Sequence, residues 1–90
     1  MKVKVSVTKE NIARGHRSDP YSCPIALACL ALGFSKANVA GKITLTCAET
    51  GKKYRCETPQ VGNDFIGAFD GLGPDSVNPF DMDLYLDEYP

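Results

Sequence analysis

The sequence predicts an α+β domain, a two-layer sandwich in which a small, mainly antiparallel sheet carries helices on one face. Two observations predict it. Three stretches alternate apolar and polar residues with period two, as strands with one buried face do: Val3, Val5 and Val7, then Ile43, Leu45 and Cys47, then Phe80, Met82, Leu84 and Leu86. Between them lie stretches with helix start and stop signals, and single-faced strands need helices packed on their apolar side. Ninety residues suit one domain spanning 1–90, with a small core. Hydrophobic residues make up 43% and charged residues 23%, which argues against a disordered chain, and no apolar run is long enough to span a membrane.

The first strand is expected from Lys2 to Thr8, with its valines inward and Lys2, Lys4 and Ser6 outward. Thr8 then caps a short helix from Lys9 to Arg14, with Asn11 at the capping-box position, Ile12 and Ala13 docking to the core and Gly15 as the stop. A polar loop, Gly15 to Tyr21, leads to the central helix. There Ser22 is expected as N-cap, Pro24 in the first turn and Gly33 in the left-handed position past the last turn. Ile25 to Leu32 contains no charge, so this helix is apolar all round and must be covered on every side. A two-layer domain covers only part of it, so a second copy is expected over the rest, making the protein a homo-oligomer.

Phe34 to Ala40 reads equally as a loop or a short strand. Lys42–Ala48 and Lys53–Thr58 form a hairpin around Glu49-Thr50-Gly51-Lys52, with Tyr54 and Cys56 facing the same way as Ile43, Leu45 and Cys47. That parity places Cys47 opposite either Tyr54 or Cys56. Thr58-Pro59 starts a third helix whose apolar face is Val61, Phe65, Ala68, Phe69 and Leu72, with Ile66 widening it. The final strand turns Phe80, Met82, Leu84 and Leu86 inward and Asp81, Asp83, Tyr85 and Asp87 outward.

Charge is segregated along the chain. Residues 1–55 hold all ten basic side chains and three acidic ones, a net +7, and residues 56–90 hold eight acidic side chains and no basic ones, a net −8. The simplest use of this pattern is pairing between neighbouring strands, Lys2 and Lys4 beside the acidic face of the last strand. The competing use of Asp81, Asp83, Asp87 and Tyr85 is a contact face for a basic host protein, which would make the protein an inhibitor.

The best candidate site is the loop before the central helix. Arg14, His16, Arg17, Ser18, Tyr21, Ser22 and Cys23 gather where backbone N–H groups and the helix dipole attract anions. Arg17 and the helix amides would hold a phosphate while Tyr21 stacks a base. The same loop also reads as a solvated connector, because no glycine-rich fingerprint accompanies it. Cys23 in a first turn, with His16 near it, raises thiol catalysis, but no third catalytic group is marked. Two potential ligands are too few for a metal site, and no cofactor is expected. The opening residues lack the apolar core of a signal peptide, so a cytoplasmic location and reduced cysteines are expected.

Four segments together resemble a group of small proteins encoded by bacteriophages and prophages: Val5-Ser6-Val7-Thr8 with Gly15, Cys23-Pro24-Ile25-Ala26-Leu27-Ala28, Phe65-Ile66-Gly67-Ala68-Phe69-Asp70, and Val77-Asn78-Pro79-Phe80. The resemblance carries over no catalytic residue. It implies a host-takeover or counter-defence setting, in which small proteins sequester nucleotide immune signals or block host proteins. The expected function is therefore capture of a phosphate-bearing small ligand without turnover, with neither nucleic acid nor membrane as partner.

Overall fold

The computed structural model describes residues 1–89. Its elements are β1 (Lys2–Val7), α1 (Lys9–Arg14), α2 (Pro24–Ala31), β2 (Phe34–Val39), β3 (Lys42–Cys47), β4 (Lys53–Glu57), α3 (Gln60–Leu72), a 3-10 turn (Pro74–Ser76), β5 (Phe80–Tyr85) and β6 (Asp87–Tyr89). The fold is α+β with antiparallel pairing throughout. The strands divide into two sheets, β1-β5 and β2-β3-β4-β6. One chain segment serves both: β5 pairs with β1, Leu86 follows, and β6 continues onto β4. Backbone bonds between Leu86 and Met1 (2.7 and 2.9 Å) prolong the β1-β5 ladder to the point of the switch.

Two sheets explain how α2 is covered. The helix packs against β1 on one side and β2 on another, with α1 alongside, and Pro24, Ile25, Ala26, Ala28 and Cys29 are buried. Only Ala31, Leu32 and parts of Leu27 and Leu30 reach the surface. The chain's own second sheet thus covers much of the apolar surface that suggested a second copy and leaves Leu32 49% exposed.

Local chemistry explains most element boundaries. Thr8 and Asn11 form the expected reciprocal capping box, each side-chain oxygen accepting from the other's backbone N–H at 3.1 and 2.9 Å. Cys23, not Ser22, caps α2: its Sγ accepts from Ala26 N–H at 3.5 Å. Ser22 lies one residue too early, and its hydroxyl instead meets His16 Nδ1 at 3.2 Å. Gly33 is left-handed (φ 107°) past the helix end, as expected. Phe34 to Val39 is a strand, with Ala37 and Val39 inward and an irregularity between Phe34 and Lys36.

The β3–β4 hairpin keeps the expected parity but is one step tighter. Ile43 faces Cys56 and Leu45 faces Tyr54. Cys47 therefore lies beside Lys52, not opposite Tyr54 or Cys56, and its N–H donates to the Lys52 carbonyl at 2.8 Å. Left-handed Gly51 (φ 71°) permits that closure.

Two expectations about helix packing are corrected. Ile12 is buried while Ala13 is exposed, because six residues present only one turn of inward surface. In α3 the buried residues are Gly62, Phe65 and Phe69, while Leu72 is 77% exposed and Val61 is exposed too. Gly62 explains the rotation. A Cβ there would lie 3.0 Å from Thr58 Cγ2 and 3.3 Å from Met82 Sδ, so α3 turns its bare glycine toward β5 and Ile25. The Phe65 ring then meets Phe80 at 4.9 Å and stacks with Phe69 at 5.9 Å. Thr58 is not a cap. Its buried hydroxyl donates to the Ala40 carbonyl at 2.6 Å, and Pro59 occupies the cap position.

The charge segregation resolves as strand pairing. Lys2 and Lys4 approach Asp83 and Asp81 at 3.9 and 3.7 Å across the β1-β5 ladder, and all four side chains remain largely exposed. Exposed pairs of this kind contribute little, so the Lys2→Ala/Lys4→Ala double variant is expected to lose less than about 1 kcal/mol in urea unfolding, with the difference shrinking in high salt. A loss indifferent to salt would show that packing of the lysine stems, not charge, is responsible.

Candidate functional site

The loop that the sequence singles out is tied into the fold. Arg17 donates through Nε and Nη2 to one acceptor, the Asp70 carbonyl in the last turn of α3, at 3.1 and 2.8 Å. A cation at that end of a helix also meets the favourable end of its dipole. The next residue, Ser18, takes a left-handed conformation (φ 56°) and donates its N–H to Asp70 Oδ1 at 2.9 Å. Arg17 and Ser18 thus clasp the end of α3 and do not present donors around the start of α2.

Arg14 pairs with Glu10 one turn back on its own helix, at 3.1 Å. His16 holds Ser22, as described, and its N–H donates to the Ser22 carbonyl at 2.9 Å. Asp19 fastens the turn that follows by accepting from Tyr21 N–H at 2.9 Å, a bond that draws its carboxyl below the usual range. Cys23 is buried, and desolvation pushes its thiol up, the reverse of what a thiolate nucleophile requires. Of the seven candidate residues, Tyr21 presents the one free aromatic ring, 63% exposed. Arg17→Ala is expected to lower stability by about 1 kcal/mol through the lost helix-end bonds. An unchanged melting temperature would mean that the clasp carries no weight in solution.

The remaining thiols sort by environment. Burial raises Cys29 to about 12, with Cys23 and Cys56 as secondary causes, and burial also raises Cys56. Cys47, the last residue of β3, is drawn down by hydrogen bonding from the Thr50 side chain and nearby backbone. Iodoacetamide at neutral pH is therefore expected to label Cys47 first and to reach Cys23 and Cys29 only after unfolding, as peptide mapping by mass spectrometry would show. Early labelling of Cys29 would contradict the packing of α2. Among the described residues, no group of three or more His, Cys, Asp or Glu is placed to hold a metal ion.

Tyr21 belongs to a different site. It stands at one end of an open groove of about 670 Å³ on the outer face of the four-stranded sheet, within the size range of small-molecule sites. Alternation along the strands builds this surface. Inward-facing Ala37, Val39, Ile43 and Leu45 go to the core, which leaves Lys36 and Asn38 of β2, Thr44 and Thr46 of β3, and Lys53 of β4 facing out. Register aligns them, because Lys36, Thr46 and Lys53 are successive neighbours across three strands, as are Asn38, Thr44 and Arg55. Tyr89 of β6, next to Lys53, closes the far end.

The groove brings two lysines without ion pairs onto one face. Lys2, Lys4, Lys42 and Lys52 each have a carboxylate within 4 Å, whereas among the described residues Lys36 and Lys53, like Lys9 on α1, have no ion-pair partner. Two cations thus flank a threonine hydroxyl on a rigid floor of paired strands. Sequence reading found Tyr21 but missed Lys36, Lys53, Thr44, Thr46 and Tyr89. Their signal was present as outward positions of alternating strands, but which outward residues become neighbours depends on strand order.

No membrane-spanning length of apolar helix occurs among the described residues. Compared with family models, curated proteins and solved structures, the chain matches none of them significantly.

Proposed function

We propose that the protein binds a phosphate-bearing small ligand on the outer face of its four-stranded sheet and holds it without chemical turnover. The observation that carries this reading is the pair of lysines on either side of Thr46, Lys36 and Lys53, which have no carboxylate partner among the described residues. An ammonium and a hydroxyl are the usual donors to a phosphate oxygen. Tyr21 and Tyr89 add aromatic surface, which suits a nucleotide better than a bare anion. Capture without turnover is favoured because, among the described residues, the groove lining holds no histidine, cysteine or acidic side chain to act as nucleophile, base or acid. In a bacteriophage or prophage setting, which the sequence resemblance suggests, the reading becomes sequestration of a nucleotide signal in the host cytoplasm. The acidic face of β5 is less suited to gripping a host protein, since Asp81 and Asp83 are already engaged by Lys4 and Lys2.

Incubation with a panel of nucleotides, followed by heat release and chromatography, tests capture and turnover together. Intact nucleotide recovered in stoichiometric amount is expected. Recovery of a cleaved product would replace binding by catalysis, and recovery of nothing would remove the reading. Light scattering on the same preparation reads the oligomeric state with and without ligand.

A further inference from the structure

The groove has two ends of the same kind. Tyr21 stands at the β2 margin, where the neighbouring Pro20 carbonyl accepts from Val39 N–H of β2 at 2.9 Å. Three residues along β2 from that anchor, a row of outward side chains crosses the sheet and lines the same groove as Tyr21: Lys36 on β2, Thr46 on β3, Lys53 on β4 and Tyr89 on β6. The order is ring, cation, hydroxyl, cation, ring. With strands about 4.8 Å apart, the two lysines stand about 10 Å apart at their Cα atoms and the rings lie outside them.

A mononucleotide occupies one ring and leaves the opposite lysine and tyrosine unused. A long single strand is also poorly served, because the cationic row stops at both margins. Beyond Lys53, β6 supplies Asp87, whose charge repels a further phosphate, and at the other margin the Tyr21 loop covers the β2 edge. Arg55 lies against the Tyr89 ring at 4.1 Å from its centroid and does not line the groove, so it backs the ring and fixes its orientation.

We infer that the groove takes a dinucleotide of one chemical class: two nucleosides bridged by a diphosphate, with a base on each of Tyr21 and Tyr89 and the bridge between Lys36 and Lys53. This rests on the phosphate-binding reading above and specifies its ligand. The diphosphate supplies two negative charges for two ammonium groups. The two bases lie at the ends of the molecule, as the two rings lie at the ends of the groove.

Calorimetry with four probes tests it: inorganic pyrophosphate, ADP, P1,P2-di(adenosine-5′) diphosphate, and the phosphodiester-linked dinucleotide ApA. The dinucleoside diphosphate is expected to bind at least about tenfold more tightly than ADP, ADP more tightly than pyrophosphate, and ApA more weakly than the dinucleoside diphosphate. Tyr21→Ala and Tyr89→Ala should each bring the dinucleoside diphosphate down to about the affinity of ADP while leaving pyrophosphate unchanged. Lys36→Ala should weaken every probe that carries a diphosphate. Tyr21 is mostly exposed, so its variant tests the ring contact without disturbing the core. ADP binding as tightly as the dinucleoside diphosphate would overturn the two-ended assignment and leave the phosphate reading standing. ApA binding equally well would overturn the diphosphate bridge. Failure of all four probes would remove the phosphate reading itself.

Discussion

Phe69→Ala is expected to destabilise the protein by about 3–5 kcal/mol, the usual range for deleting a buried aromatic ring. Phe69 is 2% exposed and stacks on Phe65, which itself meets Phe80 of β5, so its loss leaves a cavity beside the ring that joins α3 to the β1-β5 sheet. A chain of this length has a total stability of about 5–13 kcal/mol at typical per-residue values, so the variant approaches the unfolding threshold. Its effect should also spread beyond the core, because the last turn of α3 holds Asp70, the residue that Arg17 and Ser18 clasp. Chemical denaturation checks the first claim, and faster proteolysis within the Gly15–Tyr21 loop checks the second. A loss below about 1 kcal/mol would mean that α3 is not anchored through this ring.

Gly15→Ala is expected to cost about 1–3 kcal/mol, as overpacking in a tight site does. The cause is not conformational, since Gly15 has φ −68°, which any residue adopts. A Cβ there would fall 2.5 Å from Pro24 Cδ and 2.6 Å from the Pro24 backbone nitrogen, so α1 and the start of α2 would have to separate. Gly67→Ala provides the opposite sign within the same protein. That position lies inside α3, with nothing within 4 Å of an added Cβ, and alanine should stabilise the helix by about 0.5–1 kcal/mol. Thermal denaturation of the two variants separates them cleanly. If both shifted in the same direction, glycine entropy rather than the Pro24 contact would govern position 15.

Alternation was the strongest signal in the sequence, and it held wherever it was regular. Val5 and Val7, Ile43 and Leu45, and Met82, Leu84 and Leu86 are all buried, because a strand's side chains must alternate between faces whatever lies beyond them. The capping box at Thr8 and Asn11 and the left-handed Gly33 were equally legible, since those interactions close within three or four residues. Phe34 to Val39 was ambiguous for the opposite reason. It has no clean period, and it becomes a strand because β3 offers it a ladder of backbone partners.

The candidate site shows the same division. Loop composition drew attention to Arg14, Arg17 and Cys23, but composition does not reveal whether a guanidinium or a thiol has a partner inside the fold. Arg17 is claimed by a carbonyl 53 residues away, and Cys23 by burial. Conversely, Lys36 and Lys53 looked like any outward strand residues until strand order placed them on either side of Thr46, with no ion pair to either among the described residues. By itself the sequence determined the α+β class, the inward face of each regular strand, two helix ends and the pairing of Lys2 and Lys4 with the last strand. Only the tertiary structure decided that the strands form two sheets, that α2 is covered from both, that Gly15 must lack a side chain, and which polar groups remain free to bind. The physical reason is range. Period, caps and turns are set by contacts a few residues apart, whereas strand order, close approach and the pairing of charges depend on chain segments that meet only after folding.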